Sequence, residues 1–219
     1  MEAVAGTFSI VAADPAAGEV GCAVQSKYFA IGAVTPWVRA AVGAVATQAM
    51  GVVAGNGQRV LEALGAGVEP VLAIERVLAH DDGREMRQLG AVTADGRAAA
   101  FTGAECVEWA GQIIGDGFAV QGNMLVSGEV VESMAAAFVQ GQGLLVDRLI
   151  AALEAGQAAG GDRRGQQAAA LVVERTGDAA RSREGIDRIC DLRVDDHPEP
   201  IVELRRLLTI WHGWQKSRT

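Results

Sequence analysis

Gly6-Thr7-Phe8-Ser9-Ile10-Val11-Ala12-Ala13-Asp14 is a nearly unbroken apolar run that opens on a threonine preceded by a glycine. It reads as a buried strand, because runs without polar alternation suit strands covered on both faces. Asp14-Pro15-Ala16-Ala17-Gly18 turns the chain, and Glu19-Val20-Gly21-Cys22-Ala23-Val24-Gln25-Ser26 returns as a second strand. If the turn pairs Asp14 with Glu19, Ser26 lies opposite Thr7. A slip of one residue puts Lys27 there instead.

Beyond this hairpin, residues 28–34 and 40–48 read as two short strands rich in small residues. Asn56-Gly57 punctuates the chain before a helix that carries Val60, Leu61 and Leu64 and stops at Gly65 and Gly67. Glu69-Pro70 starts a second helix, with Val71, Ile74 and Leu78 at helical spacing, and Asp81-Asp82-Gly83 closes it. Residues 87–93 and 97–102 flank Ala94-Asp95-Gly96, a hairpin signal. Residues 107–110 and 118–122 read as two more strands. Gln121-Gly122-Asn123-Met124 then leads into a helix striped by Val130, Val131, Met134 and Phe138. Another helix carries Leu145, Leu149, Ala152 and Leu153 and ends before Gly160. Residues 168–174 and 189–194 are the last strands. Pro198-Glu199-Pro200 opens a final helix with Ile201, Leu204, Leu208 and Trp211 on one side. Strand groups alternating with helix pairs predict an α+β fold: a four-layer αββα sandwich of two mainly antiparallel sheets covered by helices, forming a single domain over residues 1–219.

Half of the 219 residues are hydrophobic, enough for a large core. The net charge is −8 and the 19 Lys and Arg residues form no basic run, which argues against nucleic acid as a partner. No apolar stretch reaches the roughly 20 residues of a membrane helix, and residues 1–6 are too short for a signal peptide. Cys22, Cys106 and Cys190 are widely spaced among apolar neighbours. They read as reduced, buried residues of a cytoplasmic protein, and without a C-x-x-C pair they offer no cysteine zinc site.

Several motifs together resemble one uncharacterised bacterial family. They are Thr7-Phe8-Ser9-Ile10-Val11-Ala12 with Asp14-Pro15, Gly32-Ala33-Val34 with Pro36-Trp37, and Gly43-Ala44-Val45-Ala46-Thr47-Gln48-Ala49. Gln121-Gly122-Asn123-Met124-Leu125, Gly160-Gly161-Asp162-Arg163-Arg164-Gly165 and Val194-Asp195-Asp196-His197-Pro198 complete the set, which spans nearly the whole chain. That family is a domain of unknown function placed among the Ntn-hydrolase-like folds. The resemblance implies the αββα sandwich and brings no measured activity with it.

A Gly-Thr step at the start of the first strand is also how N-terminal-nucleophile hydrolases begin. There the threonine becomes the first residue and its own α-amine, with a reference pKa of roughly 7.7–8.0, serves as the base. Thr7 is therefore the candidate nucleophile, against the plain reading of a β-branched residue opening a strand. Ser26 or Lys27 would lie close enough to orient its hydroxyl, and a lysine would lower its pKa. Gln48 and Asn123 are candidates for holding an oxyanion, with an Asx-turn or N-cap as the alternative for Asn123. In the glycine-flanked loop, Arg163 or Arg164 could grip a carboxylate or phosphate. Alternatively this loop is a helix terminus in which Asp162 pairs with an arginine internally. Asp195-Asp196-His197 resembles a metal cluster only on paper, since adjacent strand residues point to opposite faces. It reads as the turn and cap before the last helix.

The expected function is hydrolysis of a small, carboxylate-bearing amide through Thr7, by way of an acyl-enzyme and with no cofactor or metal. The alternatives are a non-catalytic small-molecule-binding or oligomeric scaffold with an uncleaved N-terminus, and a hydrolase that uses a hydroxyl without cleavage. Expected partners are a small molecule and further copies of the chain, since Trp211 and Trp214 sit in the C-terminal helix or tail. Neither nucleic acid nor membrane is expected.

Overall fold

The computed structural model describes residues 6–50, 53–176 and 188–217. The reading of residues 1–6 as too short for a signal peptide thus concerns residues that lie, apart from Gly6, outside the described set. Strand β1 (Thr7–Asp14) pairs antiparallel with β2 (Glu19–Ser26), Asp14 against Glu19 and Thr7 against Ser26, so the unslipped register holds. On the other side of β1 lies β8 (Phe118–Asn123), which places Asn123 opposite Thr7. Adding β7 (Gly111–Gly115), β9 (Ala168–Arg175) and β10 (Arg188–Val194) gives a six-stranded sheet in the order β10-β9-β2-β1-β8-β7. The second sheet has the order β3-β4-β5-β6, from Pro36–Arg39, Gly43–Ala49, Arg87–Thr93 and Ala98–Thr102. Every pairing is antiparallel.

The buried side chains sort into layers. Phe8, Ile10, Val120 and Leu171 leave the six-stranded sheet on one face and pack on α3 (Glu129–Gln140), α4 (Leu145–Ala158) and α5 (Pro200–Lys216). Val11, Cys22, Ala119 and Val172 leave it on the other face and meet Ala44, Ala46 and Val92 of the second sheet. Val45, Leu89 and Ala91 of that sheet in turn receive α1 (Ala54–Gly65) and α2 (Pro70–Leu78) through Val60, Leu64, Ile74 and Leu78. The result is a four-layer αββα sandwich. Because both faces of the central strands are covered, β1, β2, β4, β5 and β8 are buried almost throughout, which explains the missing alternation. Each large side chain fully buried in these layers contributes about 1.5–3 kcal/mol of hydrophobic free energy.

Three local expectations need correction. Residues 28–34 are not a strand: Ala30 has a left-handed backbone (φ 54°), and Ile31–Ala33 form a 3₁₀ turn. Ile31 is the cause, since it plugs a small cluster with Val24, Ala168 and Ala170 and thereby bends the chain inward. Residues 107–110 also form no strand. Their carbonyls accept single bonds from Met124 and Leu125, and the edge strand β7 starts only at Gly111. Finally, Asn56 and Gly57 lie inside α1 rather than before it. Gly57 is needed there because a Cβ would fall 2.3 Å from the Trp37 ring.

Candidate functional site

Side chains alternate across a strand. Since Val11 and Ala13 face the second sheet, so do Thr7 and Ser9. By the same rule Ser26, Gln121 and Asn123 enter this layer from the six-stranded sheet, and Gln48 and Gln88 enter it from the four-stranded one. One end of the layer is therefore apolar and the other, around Thr7, is polar. All seven of these side chains are buried.

They satisfy one another. The Gln48 amide NH2 donates to the Gln88 Oε1 (2.8 Å) and to the Thr7 carbonyl (3.3 Å). Its Oε1 accepts from the Ser9 hydroxyl, which in turn accepts from the Gln121 NH2 (2.6 Å). Asn123 Nδ2 donates to Gln88 Oε1 at 2.9 Å. Gln88 Nε2 donates to the Gly122 carbonyl (2.8 Å) and to Thr102 Oγ1 (3.0 Å). Such a network is stable in a low-dielectric layer because nearly every member is paired. It also requires close sheets: a Cβ on Gly90 would lie 2.1 Å from Gln121 Oε1.

Thr7 sits at the edge of this network. Its hydroxyl donates to Ser26 Oγ at 3.0 Å, and the Ser26 hydroxyl donates to the carbonyl oxygen of Gly6. That oxygen has a second donor, Arg164 Nη2, at 2.8 Å. Arg164 is held in place by Asp162, whose side chain is wholly buried. The guanidinium reaches both carboxylate oxygens (2.7 and 3.1 Å), and the backbone N–H groups of Arg164 and Lys27 also donate to it. A buried carboxylate compensated in this way forms a rigid anchor. The glycine loop brings it here. Gly160 and Gly161 have positive φ after α4, and Val126 and Arg163 then bond backbone to backbone with Gly161 and Met124. The chain bends sharply at two further points: Ala49 (φ 81°) and Met124 (φ 54°), each one residue past an amide of the network, adopt the left-handed conformation. For non-glycine residues this costs about 1–2 kcal/mol each.

The sequence-derived candidates divide accordingly. Thr7, Ser26, Asp162 and Arg164 converge on the Gly6–Thr7 peptide. Gln48 and Asn123 stand beside it, with their NH2 groups engaged by Gln88, Gln121 and the Thr7 backbone carbonyl. The Gly6 oxygen is thus held by a serine and an arginine. Lys27 is exposed and its ammonium donates to the Gln166 carbonyl (3.0 Å), so Ser26 is the residue beside the Thr7 hydroxyl. Arg163 is exposed at the loop's turn. Asp196 accepts from Gln167, and His197 Nδ1 accepts the Glu199 N–H; these residues form the bend before α5, but no side chain caps its first turn as expected. Ser9, Gln88 and Gln121 were not singled out as site residues. The available signal was period-two polar residues at the ends of otherwise apolar strands.

Other groups are poorly placed for chemistry. Burial pushes the Cys106 thiol up to about 11, that of Cys190 up to about 12, and that of Cys22 further still, so none is a thiolate at neutral pH. Among the described residues no group of three or more His, Cys, Asp or Glu side chains is arranged to hold a metal. Near the network, Arg87 reaches both oxygens of Asp81 (2.9 and 3.1 Å) and the Met50 carbonyl (2.6 Å), while Asn56 also donates to Asp81. The Arg87 hydrogen bonds hold the Asp81 carboxyl at about 2, well below its ordinary value.

The sequence profile of a family of unknown function, DUF1028, matches residues 7–204, and the chain belongs to that family. Its fold is similar to that of protein SPO2555 from Silicibacter pomeroyi, a crystal structure assigned to the same family. The TM-score is 0.83 at 33% identity, over 98% of this chain and 87% of that one. No curated protein matches the chain.

Proposed function

We propose that the protein is a small-amide hydrolase whose nucleophile is the Thr7 hydroxyl, freed by cleavage of the Gly6–Thr7 peptide. The observation that carries this reading is the Gly6 carbonyl oxygen, which accepts from both Ser26 Oγ and Arg164 Nη2. Two donors on one peptide oxygen, one of them cationic, are what a tetrahedral oxyanion needs. The Thr7 hydroxyl stands on the same serine.

In the self-cleavage step Thr7 Oγ1 attacks the Gly6 carbonyl carbon. As the new C–O bond forms, the Thr7 hydroxyl proton passes to Ser26 Oγ while the Ser26 proton moves on to the Gly6 oxygen, whose developing negative charge Arg164 stabilises. The C–N bond then breaks as that proton returns from the Gly6 oxygen, by way of Ser26, to the departing Thr7 nitrogen, which re-forms the C=O and leaves an ester between Gly6 and Thr7 Oγ1. Water hydrolyses the ester, releases the Gly6 carboxylate and restores the hydroxyl beside a free α-amine. In later turnovers that amine accepts the hydroxyl proton and delivers it to the leaving amine. Left-handed backbone at Ala49 and Met124 fits a site held under strain by its surroundings. These features support reading the chain as an Ntn-hydrolase-like enzyme. Arg164 is committed to Asp162, so Arg163 is the arginine left to meet a substrate carboxylate. The three buried free cysteines suit a reducing, cytoplasmic setting. Val202, Ile210 and Trp214, exposed on α5, suit a contact between copies of the chain.

The test compares wild type with Thr7→Ala and Thr7→Ser on a panel of chromogenic small amides. Expected is turnover by wild type, lost by at least about 1,000-fold in Thr7→Ala and partly kept in Thr7→Ser. Equal turnover by Thr7→Ala would overturn the Thr7 mechanism, and no turnover by any of the three would leave the binding or scaffold role of the same fold.

A further inference from the structure

The space around Gly6 is as informative as its hydrogen bonds. An L-configured Cβ at residue 6 would lie 2.7 Å from Met124 Cβ and 2.9 Å from each oxygen of Asp162. None of these atoms can yield easily. Met124 Cβ is fixed to the backbone, and the Asp162 carboxylate is locked by Arg164 and by two backbone N–H groups. The wall that excludes a methyl group at residue 6 is thus the same wall that anchors the oxyanion donor.

We infer that the acyl site of this enzyme takes groups with no L side chain next to the carbonyl, glycyl and acetyl groups above all, and rejects other L-aminoacyl groups. The inference rests on the proposed Thr7 chemistry. The ester formed during self-cleavage, Gly6 acyl on Thr7 Oγ1, is chemically an acyl-enzyme. The pocket that holds Gly6 against Ser26, Arg164, Asp162 and Met124 is therefore the pocket that later holds a substrate's acyl group.

Met124 offers a clean control. Its φ of 54° favours glycine, so Met124→Gly removes the obstructing Cβ and relieves backbone strain together. The experiment follows self-cleavage by intact-mass spectrometry in wild type, Gly6→Ala, Met124→Gly and Gly6→Ala/Met124→Gly. It also measures hydrolysis of glycyl-, acetyl- and L-alanyl-p-nitroanilide by wild type, Met124→Gly and Thr7→Ala. Expected are cleavage slowed at least tenfold by Gly6→Ala and partly restored in the double variant, and wild-type turnover of glycyl or acetyl over L-alanyl anilide by at least tenfold, narrowed in Met124→Gly. Thr7-dependent turnover without that preference overturns the inference and spares the proposed function. No Thr7-dependent cleavage or turnover of any kind overturns both.

Discussion

Arg164 and Gln88 are the residues on which the site depends. Removing the guanidinium in Arg164→Met leaves the Asp162 carboxylate buried without its partner, a change that costs roughly 3–5 kcal/mol. It also takes one of two donors from the Gly6 oxygen. Arg164→Lys keeps the charge but loses the two-pronged grip, so urea denaturation is expected to show most of the stability retained while cleavage stays slow. Gln88→Leu takes the acceptor from the Asn123 NH2, one of three acceptors from the Gln48 NH2, and the side-chain donor from the carbonyls of Gly111 and Gly122. Loss of about 2–4 kcal/mol of unfolding free energy is expected, since a buried polar group left unpaired costs more than an average hydrogen bond contributes. A midpoint within experimental error of wild type would show that the network is not a stabilising unit.

At the scale of elements, the clamp between Arg87 on β5 and Asp81 after α2 ties the helical layer to the strand that carries Gln88. Folding lowers the Asp81 pKa from 3.8 to about 2, so its stabilisation is complete above the unfolded value and is lost as pH falls from 3.8 towards 2. The side chain is only 11% exposed, and the shift corresponds to about 2 kcal/mol. Asp81→Asn is expected to remove that acid-sensitive part, which unfolding free energies measured between pH 5 and pH 2 would show as a shallower slope. Asp95 has an equally low pKa but is well exposed, so its pairing with Arg97 is screened and adds little.

The hairpin was legible because Asp-Pro and Gly mark its turn, but its register stayed open between Ser26 and Lys27, since strands buried on both faces carry no alternation to fix it. The helices were legible through apolar stripes and prolines at their starts. Residues 28–34 were not, because an apolar run of small residues has no period that separates a strand from a plugged turn. The donors to the Gly6 oxygen were not legible as such: the sequence pointed to Gln48 and Asn123 for an oxyanion, whereas Ser26 and Arg164 donate to that oxygen. Ser26 was one of two residues the register allowed beside Thr7, and the choice of Arg164 over Arg163 depends on a loop whose path is set by backbone bonds to the exit of β8, which leave no trace in composition.

For the whole molecule, the central point is that the groups around the Gly6–Thr7 peptide are assembled only by folding. Ser26 lies 19 residues and Arg164 158 residues from the groups they hold. The proposed cleavage at Gly6–Thr7 would therefore follow closure of the sandwich. A chain held in urea is expected to stay intact and to start cleaving on dilution, with a lag set by folding. The most direct measurement is N-terminal sequencing of the refolded wild-type chain at timed intervals, with Thr7→Ala alongside. The account requires a new terminus at Thr7 that grows with time in wild type and is absent in the variant. A terminus that stays upstream of Thr7 in natively folded wild-type protein would contradict it.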